Sequence, residues 1–261
     1  NVYLGVNLLM EQKKVVAITG GCGRIGSALA KDLIDNNYRV LLGDINKSKL
    51  LNFKKFINTN DLEIFPTDLT KKKNIDRFIA YGIKKFKKID SAVCCAYPKS
   101  ARFGKSFESL SEGFLKEDLY KQLGATIIFS QRIIKNFLKY KKGNLILISS
   151  IQGISTPKFD HYKNTKMNSP IEYSAIKSGI ISVSKYLAKY YKQKNIRVNC
   201  VSPGGIKSGQ PKLFSKRYKN SCNSKGLLEG EDIAKLILFL LSEKSKYITG
   251  QNLILDDGWS L

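Results

Sequence analysis

The chain has 261 residues, 43% of them hydrophobic, enough to bury a full core and short enough for one domain. No apolar run reaches the roughly 18 to 20 residues of a membrane span, and the longest, IAKLILFLL at Ile233 to Leu241, carries a lysine. The net charge of +24 invites a nucleic-acid partner, but the lysines are spread over almost every predicted helix with no aromatic-interleaved basic stripe, which points to solvated faces and away from nucleic acid.

The opening NVYLGVNLLMEQKK lacks the basic, apolar and small-residue order of a secretion signal. Residues 1–12 read as an extension, with Met10 a candidate start, and residues 13–261 as the domain. VVAIT (Val15 to Thr19) reads as the first strand, followed by TGGCGRIG and a helix from about Arg24 to Asn36. In TGGCGRIG, Gly21, Gly23 and Gly26 satisfy G-x-G-x-x-G. Between a strand and a helix, such glycines permit a tight turn, close approach of a pyrophosphate and close helix packing. RVLLG (Arg39 to Gly43) is the second strand, and Asp44 ends it eighteen residues beyond Gly26. An acidic side chain there accepts hydrogen bonds from an adenosine ribose and repels a 2′-phosphate, favouring NAD over NADP. Arg24 and Lys47 are counterweights that leave NADP open.

LEIF (Leu62 to Phe65), SAVCC (Ser91 to Cys95), NLILIS (Asn144 to Ser149), IRVNCV (Ile196 to Val201) and NLIL (Asn252 to Leu255) read as further strands. Helical patterns lie near residues 47–58, 71–87, 110–140, 170–193 and 231–241. Strands alternating with helices predict an α/β, doubly wound, Rossmann-type sandwich, and nearly continuous apolar strands predict a sheet covered on both faces. Residues 97–109, 155–169 and 204–230 read as irregular. All three follow predicted strands, where open α/β sheets bind ligands. The five cysteines, none in C-x-x-C, fit buried thiols in a reducing cytoplasm, and a single histidine, His161, argues against a metal site.

The stretch HYKNTKMNSPIEYSAIK holds Y-x-x-x-K twice, Tyr162 with Lys166 and Tyr173 with Lys177. Ser169 reads as a helix N-cap, Pro170 as the first helical residue and Glu172 as the reciprocal member of a capping box. Tyr173 and Lys177 then stack one turn apart, ahead of an apolar stripe of Ile176, Ile180, Val183, Leu187 and Tyr190. Tyr162 and Lys166 fall in a polar loop, more suited to facing substrate.

Together, TGGCGRIG, YSAIK, VNCVSPGGI and ITGQNLILDDGWS make the chain resemble the short-chain dehydrogenase/reductase family from about Lys13 onward. The resemblance implies a seven-stranded parallel sheet, a nicotinamide cofactor and a Ser-Tyr-Lys catalytic set. On this sequence that set is Ser150, Tyr173 and Lys177, with Ser149 the alternative serine. Tyr173 is the general acid/base, its phenol brought toward neutrality by the Lys177 ammonium. Ser150 donates to the substrate oxygen, and Lys177 also holds a ribose. The resemblance adds Gly20, Ile25, Asp68, Leu69, Ala96, Pro203, Gly204, Ile206 and Ser208 to the cofactor contacts. It also implies a homodimer or homotetramer packed through the helices near 110–140 and 170–193.

Two departures from the family pattern stand out, Cys94-Cys95-Ala96-Tyr97 after the fourth strand and Gln122 in place of a helix asparagine of the proton relay. The combination of AYP with QLG is similar to members associated with bacterial surface-sugar and flagellin-glycan pathways. Lys158, His161, Lys163 and Lys166, with Lys207, Lys212, Lys216 and Arg217, form an expected cationic lip for an anionic sugar phosphate or nucleotide-sugar. The competing readings are a 3-oxoacyl-carrier-protein reductase and a non-catalytic NAD-binding regulator.

Overall fold

A computed structural model of the chain describes residues 12–261. The extension read at residues 1–12 and the start at Met10 therefore lie almost wholly outside the described residues. Seven strands, β1 (Val15–Thr19), β2 (Arg39–Asp44), β3 (Leu62–Pro66), β4 (Ser91–Cys94), β5 (Gly143–Ile148), β6 (Ile196–Pro203) and β7 (Asn252–Leu255), form one sheet. Its order is β3-β2-β1-β4-β5-β6-β7, with every pairing parallel. The order reverses between β1 and β4, where the crevice outside the strand ends is open to a ligand.

The helices are α1 (Arg24–Asp35), α2 (Lys47–Ile57), α3 (Lys72–Phe86), α4 (Glu112–Asp118), α5 (Ala125–Tyr140), α6 (Ile171–Tyr190), α7 (Lys212–Asn220) and α8 (Gly230–Leu241). They cover both faces of the sheet. One core cluster packs Phe78, Phe129, Phe137 and Ile176 on one face, and a second packs Leu29, Leu33, Ile233 and Ile237 on the other. The strands alternate in which core they feed. Val15 and Ala17 enter the first and Val16 and Ile18 the second, as a period of two requires. Among the described residues no helix is long and apolar enough to cross a membrane.

Four expectations of local structure are corrected. The helix read as continuous over 110–140 is interrupted by a π-helical turn at Leu119–Gly124, which holds Gln122. Residues 204–230, read as irregular, contain α7, which buries Phe214 and Tyr218 one turn apart. The N-cap of α6 is Pro170 rather than Ser169, and no capping box forms with Glu172, because the Ser169 hydroxyl donates to Gln152 across the cavity instead. Tyr190 leaves the apolar stripe of α6. It is 66% exposed and stacked on Tyr186, while Ile181 and Ser184 are buried in the helix.

A candidate active site at the carboxyl ends of the strands

The turn after β1 is shaped by contacts that only glycine permits. Gly20 has φ +68°, and a Cβ there would lie 2.6 Å from the backbone of Ala96, so the β1 and β4 loops touch at the switch point. A Cβ at Gly26 would meet the Gly20 carbonyl at 2.4 Å, which lets α1 begin directly against the turn. Gly23 is the N-cap of α1, and the helix has no acidic residue in its first turn. The first N–H groups and the positive end of the helix are therefore available to an anion. Gly21 packs against Leu42, supporting the turn from beneath.

At the far side, α6 is clamped to the end of β5. Ser149 Oγ donates to the Lys177 carbonyl at 2.7 Å, Ser178 Oγ donates to the Gly153 carbonyl at 2.7 Å, and a Cβ at Gly153 would meet the Lys177 backbone at 2.8 Å. The clamp brings Ser150, Tyr173 and Lys177 around one cavity. Lys177 Nζ donates to the Ile148 carbonyl at 3.1 Å and lies 5.4 Å from the Tyr173 ring centroid and 5.2 Å from that of Tyr97. Burial pulls the Lys177 ammonium down to about 8. Burial also pushes the Tyr173 phenol above its ordinary range, opposed by the Ser150 hydroxyl. At both groups desolvation is the largest cause, and it runs against the expected lowering of the phenol by Lys177.

The cavity measures about 560 Å³ and takes in Gly20, Gly23, Arg24, Ile25, Gly26, Ala96, Ser150, Tyr173, Lys177, Pro203, Gly204, Ile206 and Ser208. Four other expected cofactor residues do not line it. Gly21 lies beneath the turn, and Leu69 is buried in the core. Asp68 turns back onto Thr70, accepting from its N–H at 2.9 Å and its hydroxyl at 2.7 Å. Asp44 accepts from the Cys22 N–H and the Asn46 N–H, both at 2.9 Å, which fixes its carboxylate at the end of β2 with a second lone pair left on each oxygen.

The expected cationic lip is largely absent. His161 is buried among Phe214, Tyr218 and Trp259, with Nε2 3.0 Å from Ser221 Oγ, and burial holds it below the usual imidazole range. Lys158 lies over Trp259, 4.8 Å from its centroid, and donates to its carbonyl at 2.8 Å. Lys163 pairs with Asp160 at 2.6 Å, Lys207 pairs with Glu229 at 3.2 Å, and Arg217 donates to the Asp160 and Lys163 carbonyls. Lys166, Lys212 and Lys216 remain exposed, next in the chain to the lining residue Met167 or flanking Phe214 on α7.

The wall opposite the glycine turn is instead aromatic and amide-bearing: Tyr97, Tyr162, Phe214, Tyr218 and Trp259 line the cavity with Gln152 and Gln210. Apart from Tyr97 and Tyr162, these were not readable as site residues. Tyr97 stood out as a departure after β4, and its ring meets Tyr173 edge-on at 5.6 Å. Its loop is tethered by buried Asp118, which accepts from Ser100 N–H at 2.7 Å and Ser100 Oγ at 2.6 Å.

A glycine turn at the switch point of a doubly wound sheet, facing a half-buried Tyr173 and a buried Lys177, defines the class of dinucleotide-binding oxidoreductases. Residues 23–260 match the family model described as enoyl-(acyl carrier protein) reductase. The post-translational flagellin modification protein A of Campylobacter coli is 40% identical over 256 residues, 97% of this chain and 100% of that protein. The 3-oxoacyl-acyl-carrier-protein reductase FabG of Rickettsia conorii is 30% identical, covering 94% of this chain and 96% of that one. The crystal structure of a short chain dehydrogenase from Leptospira borgpetersenii with bound NAD+ superimposes with a TM-score of 0.86 at 31% identity, over 96% of this chain and 94% of that one. The chain belongs to the short-chain dehydrogenase/reductase family and is an oxidoreductase.

Proposed function

We propose that the protein transfers a hydride between a nicotinamide cofactor and a carbonyl or secondary alcohol of a sugar phosphate or nucleotide-sugar, in surface or flagellin glycan biosynthesis. The observation that carries the reading is the convergence of Ser150, Tyr173 and Lys177 on the cavity that also holds the glycine turn. The turn fits a dinucleotide: Gly20 and Gly26 leave no room for a side chain, and the start of α1 offers N–H groups to a pyrophosphate. Lys177 keeps two of its three N–H donors after the bond to Ile148, enough to hold a ribose. When bound, the nicotinamide supplies or accepts the hydride. Tyr173 gives the substrate oxygen its proton or removes it, and Ser150 donates to that oxygen as charge develops. The Asp44 carboxylate favours NAD, and the NAD+ in the Leptospira relative agrees with that choice.

The sugar reading is supported by the flagellin-modification relative and by a wall of aromatic rings and amides, which suits the apolar faces and hydroxyl edges of a sugar. An anionic group on it would reach Lys166, Lys212 and Lys216. The FabG relatives support reduction of a carrier-bound 3-oxoacyl group as the rival reading. Exposed Ile127, Leu138, Tyr186 and Tyr190 support a homo-oligomer packed through α5 and α6, and five unbonded cysteines support a reducing cytoplasm. Residues 13–261 form one catalytic domain in this reading. The deciding experiment incubates the protein with NAD or NADP and a library of sugar phosphates and nucleotide-sugars, alongside a 3-oxoacyl thioester. Absorbance of reduced nicotinamide that changes only with the thioester would replace the sugar reading by the rival.

A further inference from the structure

Gln152 has no part in the catalytic set, yet it touches three hydroxyls around the cavity. Its backbone N–H donates to Ser150 Oγ at 3.2 Å, its Nε2 donates to Tyr162 Oη at 3.1 Å, and its Oε1 accepts from Ser169 Oγ at 2.6 Å. Ser169 has one hydroxyl proton, and giving it to Oε1 turns the amide N–H toward Tyr162. Tyr162 Oη is then an acceptor toward Gln152. The Ser169 hydroxyl, its proton given to Gln152, is the other hydrogen-bond neighbour of the phenol, so a substrate oxygen competes with Ser169 Oγ for the Tyr162 proton. The phenol is held on other sides as well. Its ring meets Phe214 edge-on at 5.2 Å, and its carbonyl accepts from Thr165 Oγ1 at 2.8 Å. A donor fixed in this way in a cavity wall loses little freedom when it binds. Burial pushes the phenol above its ordinary range, so it remains a donor at neutral pH.

We propose that Tyr162, set by Gln152, donates to a substrate oxygen on the carbon next to the reacting one, so that the site selects 1,2-oxygenated alcohols and ketones over monofunctional ones. The proposal rests on the reading of Ser150, Tyr173 and Lys177 as the reacting set. Gln152 links the two donors, Ser150 held by its backbone and Tyr162 by its side chain, and both line the same cavity. Tyr162 is the specificity-determining residue, and Gln152 and Ser169 are positioning residues.

The test measures oxidation of trans-cyclohexane-1,2-diol and of cyclohexanol with NAD, in the wild type, Tyr162→Phe and Gln152→Glu. One well-placed hydrogen bond corresponds to a preference of about tenfold in kcat/KM for the diol, carried mainly in KM. In both variants the ratio is expected to fall close to one. Gln152→Glu keeps the backbone N–H to Ser150 but replaces the amide donor with an acceptor that captures the Tyr162 proton. A packing role for Tyr162 would leave its ratio intact. A wild-type ratio near one, or a ratio unchanged in Tyr162→Phe, overturns the proposal. If neither alcohol is oxidised, the reacting set is judged separately, by whether Tyr173→Phe abolishes turnover of whichever sugar or thioester the protein accepts. Quenching of Trp259, the only tryptophan in the sequence and a residue of the cavity wall, then decides. Stronger quenching by the diol that Tyr162→Phe removes supports the proposal, and equal quenching by both compounds overturns it.

Discussion

Tyr162 and Tyr173 bring the same phenol to one cavity and differ in what surrounds it. Tyr173 stands one helical turn from Lys177 and is opposed by Ser150, whereas Tyr162 is in a loop and takes its hydrogen bond from Gln152. Tyr173→Phe is expected to lower kcat by about 10² to 10⁴-fold, the usual weight of a general acid/base. Tyr162→Phe retains hydride transfer with a raised KM, and loss confined to Tyr162→Phe would reverse the assignment. Lys177 contributes to the pH dependence of stability. Its folded-state value of about 8 lies below the ordinary 10.5, so between those values the folded chain binds fewer protons than the unfolded one and stability rises with pH. The buried charge therefore costs stability below about pH 8, by at most about 3 kcal/mol. Lys177→Met is accordingly expected to gain more in thermal midpoint over the wild type at pH 7 than at pH 10. Equal gains at both would show that burial does not depress this ammonium.

At the scale of elements, the site depends on two helix starts of opposite legibility. The glycine turn into α1 was readable, since Gly20 and Gly26 answer to contacts within a few residues or with an adjacent strand end. The cap of α6 is not legible in the sequence, because Ser169 has two possible partners and the one it takes, Gln152, belongs to another segment. The π-helical turn at Leu119–Gly124 places Gln122 in the interior, 3% exposed, with neither amide atom hydrogen-bonded among the described residues. A buried amide without partners costs free energy that an apolar residue of similar length does not. Gln122→Met is expected to raise unfolding stability by about 1 to 2 kcal/mol, read as a higher urea midpoint at constant m-value. A lower midpoint would show that Gln122 holds partners of its own, such as a buried water.

For the molecule as a whole, a net charge of +24 sets the field in which a substrate arrives, even though the cavity wall itself is aromatic. Because Lys166, Lys212 and Lys216 are exposed, their attraction for a phosphorylated sugar is screened over about 10 Å at 0.1 M salt. KM for such a substrate is expected to rise severalfold between 0.05 and 0.5 M salt, over which the Debye length shortens about threefold, while a KM independent of salt would remove these lysines from recognition. The sequence by itself determined the strand order of events along the chain, the glycine turn, the Tyr173 and Lys177 spacing and the family, because each is written in local periodicity or in short fixed spacings. α7 escaped notice since only Phe214 and Tyr218 mark its buried side within a polar, Pro- and Gly-flanked stretch. Only the tertiary structure decided which residues face the substrate. Gln152, Tyr162, Phe214 and Trp259 come from segments as much as about a hundred residues apart and meet through packing, and packing also buried His161 and drew Lys158 onto Trp259. Contacts between distant segments leave no periodicity to read, and the burial that lowers Lys177 and His161 is set by those contacts.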